Sequence, residues 1–134
     1  MSFIDWTENE RLNIGIIDEQ HKDAAELLNE LHETLGSNRT FLEKNLVKRM
    51  LKHFREHFDT EERLMKESKF PFFISHKMEH DRFYNKIDTF YRKLEQDEER
   101  VTLELLNSIK TWLFNHLEIN DKKCTKFFVE KGMS

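Results

Sequence analysis

Residues 53–80 read HFREHFDTEERLMKESKFPFFISHKMEH, and the fold turns on how this stretch is parsed. Upstream of it, Leu46, Met50 and Phe54 recur at helical steps of four. The same stripe resumes at Leu64 and Met65, until Ser68-Lys69-Phe70-Pro71 breaks it. Past the break, Phe73, Phe83, Ile87, Phe90 and Leu94 keep steps that fit a second helix face. Each stripe has a gap, and polar residues fill both: His57 and Glu61 in the first, His76 and His80 in the second. Residues four apart stand one above the other on a helix, so each pair presents two donor groups to the side that should be buried.

Helix signals continue on both sides of this stretch. Before it, Asp18 serves as a cap for Ala24, Leu28, Leu31 and Leu35, with Gly36 as a stop, and Thr40 with Glu43 reads as a capping box. After it, Leu105, Leu106, Ile109, Leu113 and Leu117 form a last long stripe. The pattern predicts an all-α, up-down-up-down four-helix bundle in one domain over 1–134. It has an N-terminal arm at 1–17, helices over about 18–36, 40–67, 71–95 and 101–119, and a short helix over about 121–131.

Composition agrees with this parsing. Three Gly and one Pro in 134 residues are too few turn formers for a sandwich or barrel, and twelve Phe are enough to fill a core. The formal net charge of −4 leaves no basic field for nucleic acid or anionic lipid. No apolar run approaches the roughly 18 residues needed to cross a bilayer. A single cysteine, Cys124, read as a buried small residue, and an N-terminus MSFIDWTENE without signal-peptide order point to a reducing cytoplasm.

Seven histidines are the unusual feature. His21 continues the first stripe one turn before Ala24, and His116 extends Ile109 and Leu113. With short connections, the start of the first helix, the end of the second, the start of the third and the end of the fourth share one end of the bundle. At 1.5 Å per residue, His21 and His116 lie about 3 Å from that end, Glu61 and His76 about 7 Å, and His57 and His80 about 13 Å. Five imidazoles and a carboxylate therefore converge within about two turns. A buried Glu61 needs a positive partner, and a metal would supply it. Asp121 follows His116 at five residues and on a regular helix points roughly 140° away, so it reaches the site only if the helix ends or loosens near Ile119-Asn120. His53, a further turn deeper than His57, belongs at the edge of the core or behind a ligand, and His32 is expected to be partly exposed.

This donor set exceeds what one tetrahedral zinc accepts, and its mixture of imidazole and carboxylate suits two iron ions. The Glu-x-x-His motifs of ferritin-like di-iron proteins are absent, because the residues three before the histidines are Asp18, Asn29, Met50, Phe54, Phe73, Lys77 and Leu113. Metalloprotease, phosphate-loop and nucleophile-elbow signatures are absent as well.

The ordered series Ile17-Asp18-Glu19-Gln20-His21, His57-x-x-x-Glu61, His76-x-x-x-His80 and His116-x-x-x-x-Asp121 resembles the hemerythrin family, most closely its single-domain bacterial members, from about Trp6 to Phe128. The resemblance implies a non-heme di-iron centre with an oxo or hydroxo bridge. His76, His80 and His116 would hold one iron and His21 and His57 the other, with Glu61 and Asp121 bridging, so Asp121 enters the set through the likeness. The two-imidazole iron would keep an open position for dioxygen, bound reversibly for storage, delivery or sensing. Ala24, Phe58, Trp112, Leu113 and Leu117 would wall that pocket against water. The rival readings are a di-iron enzyme at the same site, acting as oxidase, peroxidase or nitric oxide handler, and an iron-storage or purely structural bundle. The wall shows no proton donor among Ala24, Phe58, Leu113 and Leu117, which favours a carrier over an enzyme. An electron donor or oxygen-consuming partner is left unidentified.

Overall fold

The apolar stripes form helices in the computed structural model, which describes residues 3–5, 15–116 and 121–132. The elements are α1 (Gly15–Glu33), α2 (Thr40–Ser68), α3 (Phe73–Glu95), α4 (Leu103–Asn115) and α5 (Lys122–Glu130), with no strand among the described residues. α1 to α4 make an up-down-up-down four-helix bundle in which α2 packs on α1 and α3, α4 on α1, and α5 on α2. No helix among the described residues is long and apolar enough to cross a membrane.

Several helix ends differ from the sequence reading. α1 begins at Gly15, not Asp18, which puts the Asp18 carboxylate inside the first turn, where the helix dipole favours negative charge. It ends at Glu33, and a turn over Thr34–Gly36 follows, with Gly36 at φ 75°. Thr40 is the first residue of α2 and makes no cap; the residue before it, Arg39, has no side-chain capping bond either. The expected box fails because Glu43 bonds elsewhere. Its buried carboxylate accepts from the Val101 backbone N–H at 2.6 Å and from Arg100 at 2.6 and 2.9 Å, tying the start of α2 to the α3–α4 connection.

α2 stops at Lys69, which adopts a left-handed conformation, and the Phe70 N–H returns to the Met65 carbonyl at 2.9 Å. Pro71 lies in the following turn, so α3 starts two residues later than expected, at Phe73. α4 starts at Leu103 because Thr102 caps it, accepting from the Leu105 N–H at 3.1 Å. The expected end of this helix at 119 lies outside the described residues.

Two apolar clusters fill the bundle. The larger includes Ala24, Leu28, Leu31, Leu46, Met50, Phe54, Phe58, Phe83, Ile87, Leu106, Ile109 and Leu113. The smaller consists of Ile17, Met65, Phe70, Cys124 and Phe128. On each helix the histidines fall between the two. His21 sits between Ile17 and Ala24, His57 and Glu61 between Phe54 and Met65, and His76 and His80 between Phe70 and Phe83. The bundle is thus dry above and below one polar layer.

The N-terminal arm is tied to this frame. The side-chain amide of Asn29 both accepts from the Ile4 N–H at 2.7 Å and donates to the Ile4 carbonyl at 3.0 Å. His32, half-buried, stacks on Phe3 at 4.6 Å.

Candidate metal centre

The six residues singled out from the pattern and Asp121, added by the resemblance, meet in the polar layer: His21 from α1, His57 and Glu61 from α2, His76 and His80 from α3, and His116 and Asp121 flanking the stretch between α4 and α5. All are buried. Their nitrogen and oxygen atoms form two groups, each within 4.8 Å: His21, His57, Glu61 and Asp121 in one, and His76, His80, His116, Glu61 and Asp121 in the other.

The two carboxylates divide their oxygens between these groups. Glu61 turns Oε1 to His57 Nε2 (3.3 Å) and Oε2 to His76 and His80 Nε2 (both 3.5 Å). Asp121 turns Oδ2 to His21 Nε2 (3.0 Å) and Oδ1 to His76 (3.3 Å) and His116 Nε2 (2.9 Å). Asp121 does this although it follows His116 by five residues, and the backbone at His116 and at Asp121 is π-helical.

Whether a cation fits here is answered by the polar atoms. Among the described residues, Nε2 of His57 and His76 and all four oxygens of Glu61 and Asp121 are buried without a hydrogen-bond partner. Buried polar groups in native proteins are satisfied, so atoms facing one another at 2.9–3.5 Å without shared hydrogens are arranged as ligands around cations. Charge says the same. Burial would lower the His76 and His116 imidazoles, yet Asp121, Glu61 and, for His116, Glu79 overcome it and push them up to about 9 and about 10. Burial would raise Glu61, but His57, His76 and His80 hold it well below the usual carboxylate range. His21 goes the other way, lowered by burial and by His57. The cluster draws positive charge from protons where cations could supply it.

Outward-facing nitrogens are held too. His57 donates from Nδ1 to Gln20 Oε1 (2.9 Å), and Gln20 in turn donates to Thr60 Oγ1 (3.1 Å). His80 donates from Nδ1 to Glu62 (3.0 Å), and His116 points Nδ1 at Glu79 (3.5 Å). An oxygen acceptor puts the proton on Nδ1 and leaves the Nε2 lone pair facing inward, as metal ligation requires. Sequence reasoning missed Gln20, Glu62 and Glu79 in this role; each is adjacent in sequence to a residue of the cluster, which is the one signal available.

Of the expected wall, Phe58 is fully buried and stacks on His80 with ring centroids 4.0 Å apart. Trp112 stacks on His116 at 4.5 Å and on Phe83 at 3.7 Å. Leu113 and Ala24 are buried in the larger apolar cluster, and Leu117 lies outside the described residues. His53 stays out of the cluster, with Nε2 2.7 Å from the Gln20 carbonyl oxygen.

Fold and site together define an all-α bundle built around a buried cluster able to hold cations. The family model described as the hemerythrin HHE cation-binding domain matches residues 12–125. Curated relatives include bacteriohemerythrins of Stenotrophomonas maltophilia (31% identical, covering 91% of this chain and 79% of the relative) and Methylococcus capsulatus (31%, 91% and 94%). A crystal structure of wild-type hemerythrin superposes with a TM-score of 0.90 at 26% identity, covering 95% of this chain and 98% of that one. The chain belongs to the hemerythrin family.

Proposed function

We propose that this chain binds dioxygen reversibly at a pair of iron ions with an oxo or hydroxo bridge, of which His21 and His57 would hold one, His76, His80 and His116 the other, and Glu61 and Asp121 would be shared between them. The observation that carries the reading is the division of each carboxylate's oxygens between two groups of imidazoles, the arrangement two adjacent cations require. When bound, two irons would together supply the two electrons that taking up dioxygen demands.

The protein residues account for reversibility. Five imidazoles and two carboxylates leave the two-imidazole side with one protein ligand fewer, which makes it the side open to a small guest. Ala24, Phe58 and Leu113 carry no side-chain proton to give, so the wall near the cluster excludes water and withholds the acid that would drive a reduced guest off. Phe58 and Trp112 press flat on His80 and His116 and fix their ring planes. These features favour a carrier over an enzyme, serving storage, delivery or local sensing.

The test is stoichiometry. Protein made with iron supplied should hold about two irons per chain and, once reduced, take up about one dioxygen per chain that returns on evacuation. One zinc per chain, or oxygen consumed without return, would defeat the proposal.

A further inference from the structure

α3 and α4 meet through Phe83 stacked on Trp112 and His80 beside His116, and their seam is indented alongside these contacts. A groove of about 440 Å³ occupies it, inside the range of roughly 300–1,000 Å³ typical of small-molecule sites. Its floor is apolar: Phe83 and Ile87 from α3, and Leu105, Ile109 and Trp112 from α4. Two cations stand on the α3 rim, Arg82 and Lys86, one helical turn apart and both exposed. Among the described residues neither lies within ion-pair distance of a carboxylate, although this chain carries four more acidic than basic side chains and its neighbours Lys77 and Arg92 on α3 are paired, with Asp81 and Asp88. The one acid lining the groove, Glu79, is turned toward His116 Nδ1 at its far end.

From this arrangement we propose that the α3–α4 groove is a binding site for an amphipathic organic anion, a carboxylate with a flat apolar body. The carboxylate meets Arg82 and Lys86, and the body lies along Leu105 and the exposed part of Trp112, the two half-buried members of the apolar lining. A neutral apolar molecule would gain nothing from the two cations, which stay hydrated. A polyanion would find only two charges and no basic field around them. An aromatic body suits the floor because Trp112 is half-buried there and is held rigid by stacking on the buried Phe83 at 3.7 Å, so that its free edge is fixed for a guest. Trp112 also stacks on His116, so the groove and the buried cluster share one side chain as a common wall. The site does not depend on which metal the cluster holds.

Naphthalene carboxylate is the probe, with naphthyl methanol as its uncharged counterpart, titrated into the iron-loaded protein by calorimetry. In a Trp6→Phe background Trp112 is the only tryptophan, and its emission should change along the same binding curve. The carboxylate should bind saturably and more tightly than the alcohol. Replacing both rim cations (Arg82→Gln with Lys86→Gln) should weaken the carboxylate about fivefold or more and leave the alcohol unchanged. Ser108→Phe, on the opposite rim, should block both by filling the groove. Iron content, unchanged in every variant, verifies that the bundle is intact. Absence of saturable binding, equal affinity for acid and alcohol, or full affinity in either the double variant or Ser108→Phe would each overturn the proposal.

Discussion

Removing one partner of a buried charge cluster costs far more than an exposed pair is worth, and Glu61 and Asp121 are each only 1% exposed. His76 reaches both, 3.5 Å from Glu61 and 3.3 Å from Asp121, so its loss bears on both carboxylates at once. His76→Ala should therefore empty or cripple the site. His53→Ala should leave iron content nearly unchanged, since His53 turns its Nε2 to the Gln20 backbone carbonyl and its ring to Phe54 rather than into the cluster. Iron analysis of the purified variants checks the pair, and equal loss in both would contradict the assignment on α2. Leu113 tests the wall. It is buried three residues before His116, so Leu113→Ala opens a void and Leu113→Asn brings in a group that can carry water. Both should retain two irons yet lose the oxygenated form faster than the parent, with Asn at least as fast as Ala, as followed by decay of its absorption band after mixing with air-saturated buffer. Unchanged decay in both would place Leu113 in ordinary packing.

At the scale of the helices, Glu43 shows how one side chain can be misread from spacing alone. Thr40 and Glu43 have the separation of a capping box, but a buried carboxylate takes the strongest donors in reach, and those come from the α3–α4 connection 57 and 58 residues away. Glu43→Ala should leave the Val101 N–H without its acceptor and cost about 1–3 kcal/mol. Thermal unfolding should fall by several degrees. Iron content should hold, because Glu43 lies at the opposite end of α2 from the cluster; an unchanged melt would show that the tie contributes nothing. What periodicity could reveal, it did: the stripes around Phe54, Ile87 and Ile109 are core, and the polar residues in their gaps converge. Periodicity assumes a regular helix, which is why it left Asp121 facing away; the backbone at His116 and Asp121 is π-helical, which the apolar spacing does not signal. The acceptors Gln20, Glu62 and Glu79 escaped for a related reason, since which neighbour meets an outer ring nitrogen depends on how imidazoles from other helices are turned.

For the whole molecule, the polar layer couples metal to stability. Without metal, His76 and His116 have values raised from the ordinary 6.5 to about 9 and about 10. A raised value stabilises fully below the ordinary one and is lost as pH climbs through the raised one, so the metal-free protein should lose stability between about pH 6.5 and pH 10. Glu61 and Asp121 are depressed below 4.5 and 3.8, so their contribution is present above those values and fails as pH drops beneath them. The iron-loaded protein should melt higher and show little of the alkaline loss, because iron then occupies the nitrogens that would otherwise carry protons. Melting curves of both forms across this window check it, and an iron-free protein as heat-stable as the loaded one would mean a layer open to water.

Reversible dioxygen binding is the claim on which the rest converges, and an optical cycle tests it most directly. The reduced protein is recorded without air, exposed to air, then degassed. A visible band should rise on exposure, fall on degassing and rise again without added reductant. A band that never reverses, with reductant consumed continuously in air, would contradict the carrier and point instead to an oxidase at the same site.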